Sequence, residues 1–128
     1  MCVKDWKRIA EREAMRYREH QAFMKGVRDA DGIITARYSQ SAKWVLATEY
    51  VLDYLQRNSA EKERFFRLYY GIDGSRRRPG RKSIIALSQM LYASPATLYR
   101  WRNEVLTLLL LAAVQTGALR PYAVGQEP

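Results

Sequence analysis

Arg100 and Asn103 are two side chains able to recognise the edges of nucleic-acid bases. A guanidinium can donate to both acceptors of a guanine edge, and a carboxamide can bond an adenine edge at two points. The two residues lie three positions apart, so a helix would place both on one face. This spacing indicates recognition by hydrogen bonding, carried by a helix.

Side chains for covalent or metal chemistry are sparse. His20 and Cys2 are the sole histidine and cysteine and lie far apart in sequence, so a zinc site or a thiol–imidazole pair is not expected. No Gly-Lys-Ser/Thr phosphate loop occurs. Glu11 and Glu13 would lie on different faces of a helix. We therefore predict no enzyme activity, no metal and no cofactor.

Local signals place the recognition residues on the second of two short helices. Ser94 is a good N-cap, and Pro95 suits the first helical position because its missing N–H needs no partner there. Ser83 can cap a shorter apolar helix over residues 84–91, which leaves a very short turn between the two. Such a pair is typical of a helix-turn-helix, whose second helix enters the DNA major groove.

The apolar residues fall where such a motif must hold its helices together. They are Leu87, Leu91, Ala93, Leu98 and Trp101. The residues predicted to face outward, toward DNA, are Ser94, Pro95, Ala96, Tyr99, Arg100 and Asn103.

Two positions depart from the usual pattern: Tyr92 stands where glycine is common in the turn, and Ser88 where a small alanine is common. Because a tyrosine at positive φ is strained, we expect a turn that differs from the common one. The alternative for the whole stretch is an ordinary helical hairpin in an all-α core.

Composition points to one globular domain with a polyanionic partner. The chain has 128 residues, a net charge of +9 and a pI of about 9.9, which favours nucleic acid first and an anionic membrane second. Cys2 excludes an intramolecular disulfide because it is the only cysteine. No signal-peptide pattern precedes the domain, and the apolar run 106–114 is too short to span a bilayer. We expect a soluble, cytoplasmic protein without membrane contact.

The N-terminal part, residues 1–58, reads as helical. One helix is predicted over residues 5–27, a loop over 26–41, and a central core helix over 42–56 capped by Ser41. The first helix has a seam that packs either on the rest of the domain, which we favour, or against a partner. The seam comprises Trp6, Ala10, Glu13, Tyr17, His20, Met24 and Val27.

The second part, residues 59–117, begins with a helix. An Asn58–Glu61 pair resembles a capping box, and Gly71 is a natural helix end. The last helix begins at Pro95 and runs to Gly117. Its stretch beyond residue 104 is apolar on every side, so either the N-terminal helices or a second copy must cover it. Residues 118–128 are predicted to be a tail.

A basic arm lies between these helices. Residues 59–82 hold eight Lys/Arg and three Asp/Glu, so the excess charge is concentrated just before the two short helices. Such an arm can lie along phosphates or enter the minor groove, although a solvated linker is the alternative. The predicted DNA-binding residues of the arm are Arg76, Arg77, Arg78, Arg81 and Lys82.

Two stretches, SAEKERFFRLYYG at 59–71 and SIIALSQMLYASPATLYRWRNEVL at 83–106, resemble the region-4 module of sigma-70-type factors. They look closer to small phage regulators of the ArpU/RinA type. The resemblance implies an all-α protein that binds DNA near promoters and is able to contact RNA polymerase. It also adds Thr97 to the recognition residues.

We therefore predict an all-α bundle of about five helices that acts as a sequence-selective DNA-binding transcriptional regulator of phage or prophage origin, reading the major groove with residues 95–103. Double-stranded DNA is the expected partner; RNA polymerase and a second copy are further candidates. Two alternatives stay open. One is a small terminase subunit or DNA-packaging adaptor, and the other is a protein-interaction module whose arm binds an acidic partner.

Overall fold

The computed structural model describes residues 3–31, 39–74 and 81–119. Within these ranges the chain forms six α-helices and no strand, which confirms the all-α prediction. The helices are α1 (Val3–Met15), α2 (Tyr17–Asp31), α3 (Ser39–Asn58), α4 (Ala60–Tyr69), α5 (Ile84–Leu91) and α6 (Pro95–Thr116). Arg76, Arg77 and Arg78 of the predicted arm lie outside the described residues.

The single N-terminal helix predicted over residues 5–27 is wrong, because the chain turns at Arg16. There the Arg16 amide bonds the Glu13 carbonyl at 3.1 Å, one residue closer than in a regular α-helix. The turn lets α1 pack on α6 while α2 packs on α3. Five residues of the predicted seam are therefore buried within this chain: Ala10, Glu13, Tyr17, His20 and Met24.

The loop predicted over residues 26–41 is shorter than expected. Helix α2 continues to Asp31, and α3 begins at Ser39. A lone glycine such as Gly26 costs a helix only about 1 kcal/mol, so it does not end α2. Ser41 is not a cap, since its hydroxyl lies 3.0 Å from Nδ1 of His20.

Helix α6 forms the centre of the core, packed between α3 and α1. Val105, Leu109 and Ala113 on this helix are fully buried. The apolar stretch is therefore covered largely by the chain's own helices, as one of the two predicted alternatives required. Residues 118 and 119, which we assigned to the tail, also pack on the core.

Helix α4 links the two parts of the chain. Its N-cap is Ser59, which accepts a bond from the Lys62 amide, whereas Asn58 donates to the Tyr54 carbonyl instead of capping. Gly71 follows the helix at a φ of 68°, as expected for a residue ending a helix. Helix α4 packs against α3, α5 and α6, with its aromatic residues Phe65, Phe66 and Tyr69 buried.

Candidate nucleic-acid interface

Serine hydroxyls begin both helices of a unit formed by α5, the turn 92–94 and residues 95–103 of α6, hereafter the two-helix unit. Ser83 Oγ accepts a hydrogen bond from the Ala86 amide at 3.4 Å, and Ser94 Oγ accepts one from the Thr97 amide at 3.2 Å. Proline occupies the first turn of α6. These caps confirm the predicted starts of both helices.

Tyr92 adopts the left-handed conformation in the turn, with φ 55° and ψ 40°. The expected departure from the common turn is therefore wrong, because tyrosine takes the conformation that glycine usually supplies. Ser88 closes the turn: its carbonyl accepts from the Ala93 amide at 3.3 Å, and its hydroxyl donates to the Ala93 carbonyl at 2.6 Å. The Tyr92 ring is 94% exposed, so ring packing does not offset the backbone strain.

The inner side of the two-helix unit is fixed to the core. Leu87 and Leu98 are fully buried, and Leu91, Ala93 and Trp101 are partly buried against the same cluster. The Trp101 ring meets Phe65 of α4 edge to face, with ring centroids 6.1 Å apart. All five predicted inward residues therefore hold the start of α6 in place.

The outer side carries most of the residues predicted to face DNA. Those exposed are Ser94, Pro95, Ala96, Tyr99, Arg100 and Asn103. Thr97 differs: it is partly buried, and its hydroxyl accepts a hydrogen bond from Ser94 at 3.0 Å. Arg100 has no ion-pair partner among the described residues, so its guanidinium can bond an external acceptor.

A groove of about 490 Å³ runs along the outer side between α6 and the junction of α3 with α4. Arg100 and Asn103 line one wall, and Tyr54 and Asn58 line the other. At the edge, Lys62 forms an ion pair with Glu104. The groove makes both base-reading candidates accessible from solvent.

Basic side chains lie on another side of Tyr99. Arg81, Lys82 and Arg102 line a concavity with the Tyr99 ring and the start of α5. The chain enters this region through the Lys82 amide, which donates to the Tyr69 carbonyl at 2.7 Å. The described end of the predicted arm is therefore attached to the core beside the two-helix unit.

The residue that organises this side is Glu11 of α1, which sequence reasoning missed. Glu11 is 8% exposed, and its carboxylate accepts hydrogen bonds from three side chains. Arg102 donates from two nitrogens at 2.8 and 2.9 Å, the Tyr70 hydroxyl donates at 2.7 Å, and Arg81 donates at 3.1 Å. We call these four residues the Glu11 network.

The contacts within the Glu11 network favour the charged forms of Glu11 and Arg102. Burial opposes ionisation of Glu11, but hydrogen bonds from Arg102 and Tyr70, with the charges of Arg102 and Arg81, lower the pKa of the carboxyl below its ordinary value. The bond to Glu11 raises the pKa of Arg102, while burial and the Glu11 charge raise that of Tyr70. Glu11 also forms an ion pair with Arg81, whose side chain remains about half exposed.

Glu13 and His20 form a second buried polar pair on the α2 side of α1. Glu13 Oε1 lies 2.6 Å from Nε2 of His20, whose Nδ1 contacts Ser41. Burial is outweighed by the His20 and Arg12 contacts, so the pKa of Glu13 is lowered. The two acidic residues therefore bind different partners rather than sharing one site.

No group of three or more His, Cys, Asp and Glu side chains suited to a metal occurs within residues 3–31, 39–74 and 81–119. Nor does any helix in those ranges combine the length and apolar character needed to cross a bilayer.

Comparison with protein-family models, curated proteins and solved structures gives no match.

Proposed function

We propose that this chain is a sequence-selective DNA-binding transcriptional regulator in which the two-helix unit acts as a helix-turn-helix. The observation that carries the proposal is the exposed pair Arg100 and Asn103 on a helix whose inner side packs on the core. Reading a base edge requires a bidentate donor held at a defined angle to the groove. In support of this role, Leu98 and the Ser94 cap fix the first two turns of α6, which carry Arg100.

Nonspecific affinity would come from the charges beside this helix. Arg81 and Lys82 lie next to Tyr99, at the described end of the basic arm. When residues 94–103 enter a major groove, cations at that edge face the adjacent phosphates. The Glu11 network would orient Arg81, leaving the other cations of the arm to follow the backbone.

The test is selection of bound genomic fragments by purified protein at moderate salt, followed by affinity measurements on the selected site and on random duplex. Arg100→Ala should weaken binding to the selected site by about 5- to 150-fold, corresponding to 1–3 kcal/mol, and affect random duplex much less. Arg100→Lys should restore part of the affinity without restoring base preference, since an ammonium lacks the planar fork.

The matched control is Arg57→Ala, which removes an exposed arginine from the end of α3. It should leave base preference unchanged. Equal losses on selected and random DNA for Arg100→Ala would make Arg100 a phosphate contact. Negligible affinity for any duplex at low salt would instead favour a protein-interaction module. A ring-sized assembly in solution would favour a small terminase subunit or DNA-packaging adaptor.

A further inference from the structure

The outer sides of α3 and α6 form an apolar face that the core leaves uncovered. Tyr50 and Tyr54 on α3 are 51% and 50% exposed, and Leu111 on α6 is 59% exposed. Together with Leu108 they line a groove of about 280 Å³ between the two helices. Leu46 lies one turn before Tyr50 and is also exposed. We call these five residues the α3–α6 face.

The charge pattern of this face fits a second copy of the chain. Every side chain lining its groove is uncharged, although the protein carries a net charge of +9. Nearby charged residues include two matched pairs, Asp53–Arg57 and Lys62–Glu104. Two copies could therefore meet here without the repulsion expected between most of their surfaces, whereas a polyanion would find no cation in the groove.

The exposed apolar area of the α3–α6 face is large enough to form the centre of a dimer interface. Two half-exposed tyrosines present roughly 200 Å² between them, and the exposed leucines add a comparable amount. This is about half of the roughly 800 Å² that each partner buries in a standard interface, so the rim must supply the rest. It also falls within the roughly 300–600 Å² of the largest apolar patch on a monomeric protein, a patch that is often functional.

We propose that the α3–α6 face seats a second copy, with the two α6 helices antiparallel around Leu111. This inference rests on the proposed function for its geometry on DNA. Arg100 lies eleven residues before Leu111, or about 16 Å along a helix. An antiparallel pair centred on Leu111 separates the two Arg100 positions by about 33 Å. Successive major-groove faces on one side of B-DNA lie about 34–36 Å apart, so each copy would read one half-site.

The angular positions of the side chains around the α6 axis agree with the antiparallel dimer. At about 100° per residue, the groove-lining residues Leu108, Leu111 and Gln115 centre roughly a quarter turn from the recognition residues. The recognition residues in this comparison are Ala96, Tyr99, Arg100 and Asn103. The two-fold axis that exchanges two antiparallel helices is perpendicular to the plane that contains them. Around each helix, the direction of this axis is therefore a quarter turn away from the direction of the contact. Both recognition surfaces would then face the same side, along the two-fold axis.

Sedimentation equilibrium without DNA tests the face independently of DNA binding. Wild-type protein should form dimers over a micromolar concentration series. Leu111→Asp should raise the dimer dissociation constant by at least about 100-fold, because a two-fold axis places the new charge twice in one interface. Ile85→Asp is the matched control, since Ile85 on α5 is 60% exposed and outside the face; it should remain dimeric. Circular dichroism spectra of both variants at 25 °C should match the wild-type spectrum, because both remain folded; the melting temperature is not compared, since dimerisation itself raises it.

A monomeric wild type, or a dimer unaffected by Leu111→Asp, would overturn the proposal. If wild-type protein dimerises through this face but binds no duplex, only the proposed function fails. If it does bind, footprinting should show two half-sites with centres 10–10.5 base pairs apart, and Leu111→Asp should weaken a two-half-site duplex far more than a single half-site. Any other half-site spacing would contradict the antiparallel arrangement.

Discussion

Replacing Glu11 with alanine should destabilise the fold more than removal of any exposed carboxylate. Glu11 accepts bonds from Arg102, Tyr70 and Arg81, which lie 91, 59 and 70 residues from it in sequence. Its loss would leave the Tyr70 hydroxyl, on a residue 2% exposed, without that acceptor. It would also leave the largely covered guanidinium of Arg102 without its counter-charge.

The magnitude follows from this geometry. Removing one partner of a buried ion pair costs about 3–5 kcal/mol, and an unsatisfied buried hydroxyl costs about 1–3 kcal/mol. Arg102 and Arg81 side chains are 26% and 48% exposed, so both can recover water and the lower end applies. We expect a loss of about 3 kcal/mol. For a chain of this length, that corresponds to roughly 10 °C in Tm.

Urea unfolding followed by tryptophan fluorescence provides the measurement. Glu19→Ala is the control, because Glu19 is about half exposed in its pair with Arg16 and should contribute no more than about 0.5 kcal/mol. Adding Arg102→Met to Glu11→Ala should recover stability, since it removes the unpaired charge. A Glu11→Ala variant within 0.5 kcal/mol of the wild type would refute the network as a stabilising element.

The pH dependence of the free energy of unfolding provides a second test with the Glu11→Ala variant. The pKa of Glu11 is lower in the folded chain than its ordinary value of 4.5, so its stabilisation is fully present above that pH. It is lost as pH falls through the lowered folded pKa. The stability difference between wild type and Glu11→Ala should therefore be constant near neutral pH and shrink below about pH 4.5. A difference that grows on acidification would contradict this sign.

Three further predictions concern the core, the turn and the arm. Leu109→Asp should cost about 4 kcal/mol or more by urea unfolding, because Leu109 is fully buried; native stability would contradict the covered core. Tyr92→Gly should stabilise the chain by about 0.5–1 kcal/mol, since left-handed strain exceeds the entropy cost of glycine; a lower Tm would show that the exposed ring contributes packing. Alanine at 76–78 and Arg81 should make the salt dependence of DNA affinity shallower by about two to four units; an unchanged slope would make the arm a linker.

The helix caps and helix ends could be predicted from the sequence because they depend on residues that are close together in the chain. Ser83, Ser94 and Gly71 end or begin helices through bonds within a few positions, and all three lie where predicted. Hydrophobic spacing likewise identified Leu87 and Leu98 as the inner side of the two-helix unit. These signals established the all-α class and the orientation of residues 94–103.

Features that depend on contacts between distant parts of the chain could not be predicted in this way. The break at Arg16 has no proline or glycine to indicate it and depends on packing against α3 and α6. Glu11 resembles any surface carboxylate of an amphipathic helix, and its partner Arg102 lies 91 residues away. A buried acid on an otherwise apolar side is recognised only once the opposing helix is placed. Tyr92 shows a different limit: the pattern indicated strain, but it did not indicate the local bonds between Ser88 and Ala93 that hold the left-handed turn.

The N-terminal helices belong to the candidate interface as much as the two-helix unit does. Helix α3 covers the buried side of α6, and α1 supplies the carboxylate that fixes Arg102 on α6 and Arg81 at the end of the arm. Without Glu11, both cations could take many orientations, and the surface beside Tyr99 would change its charge distribution. The same α1 carboxylate therefore links folding of the N-terminal part to the position of charges next to the recognition residues. Because the buried Glu11 offsets part of the charge of Arg81 and Arg102, Arg100, which has no ion-pair partner among the described residues, supplies an unpaired positive charge on the proposed recognition surface.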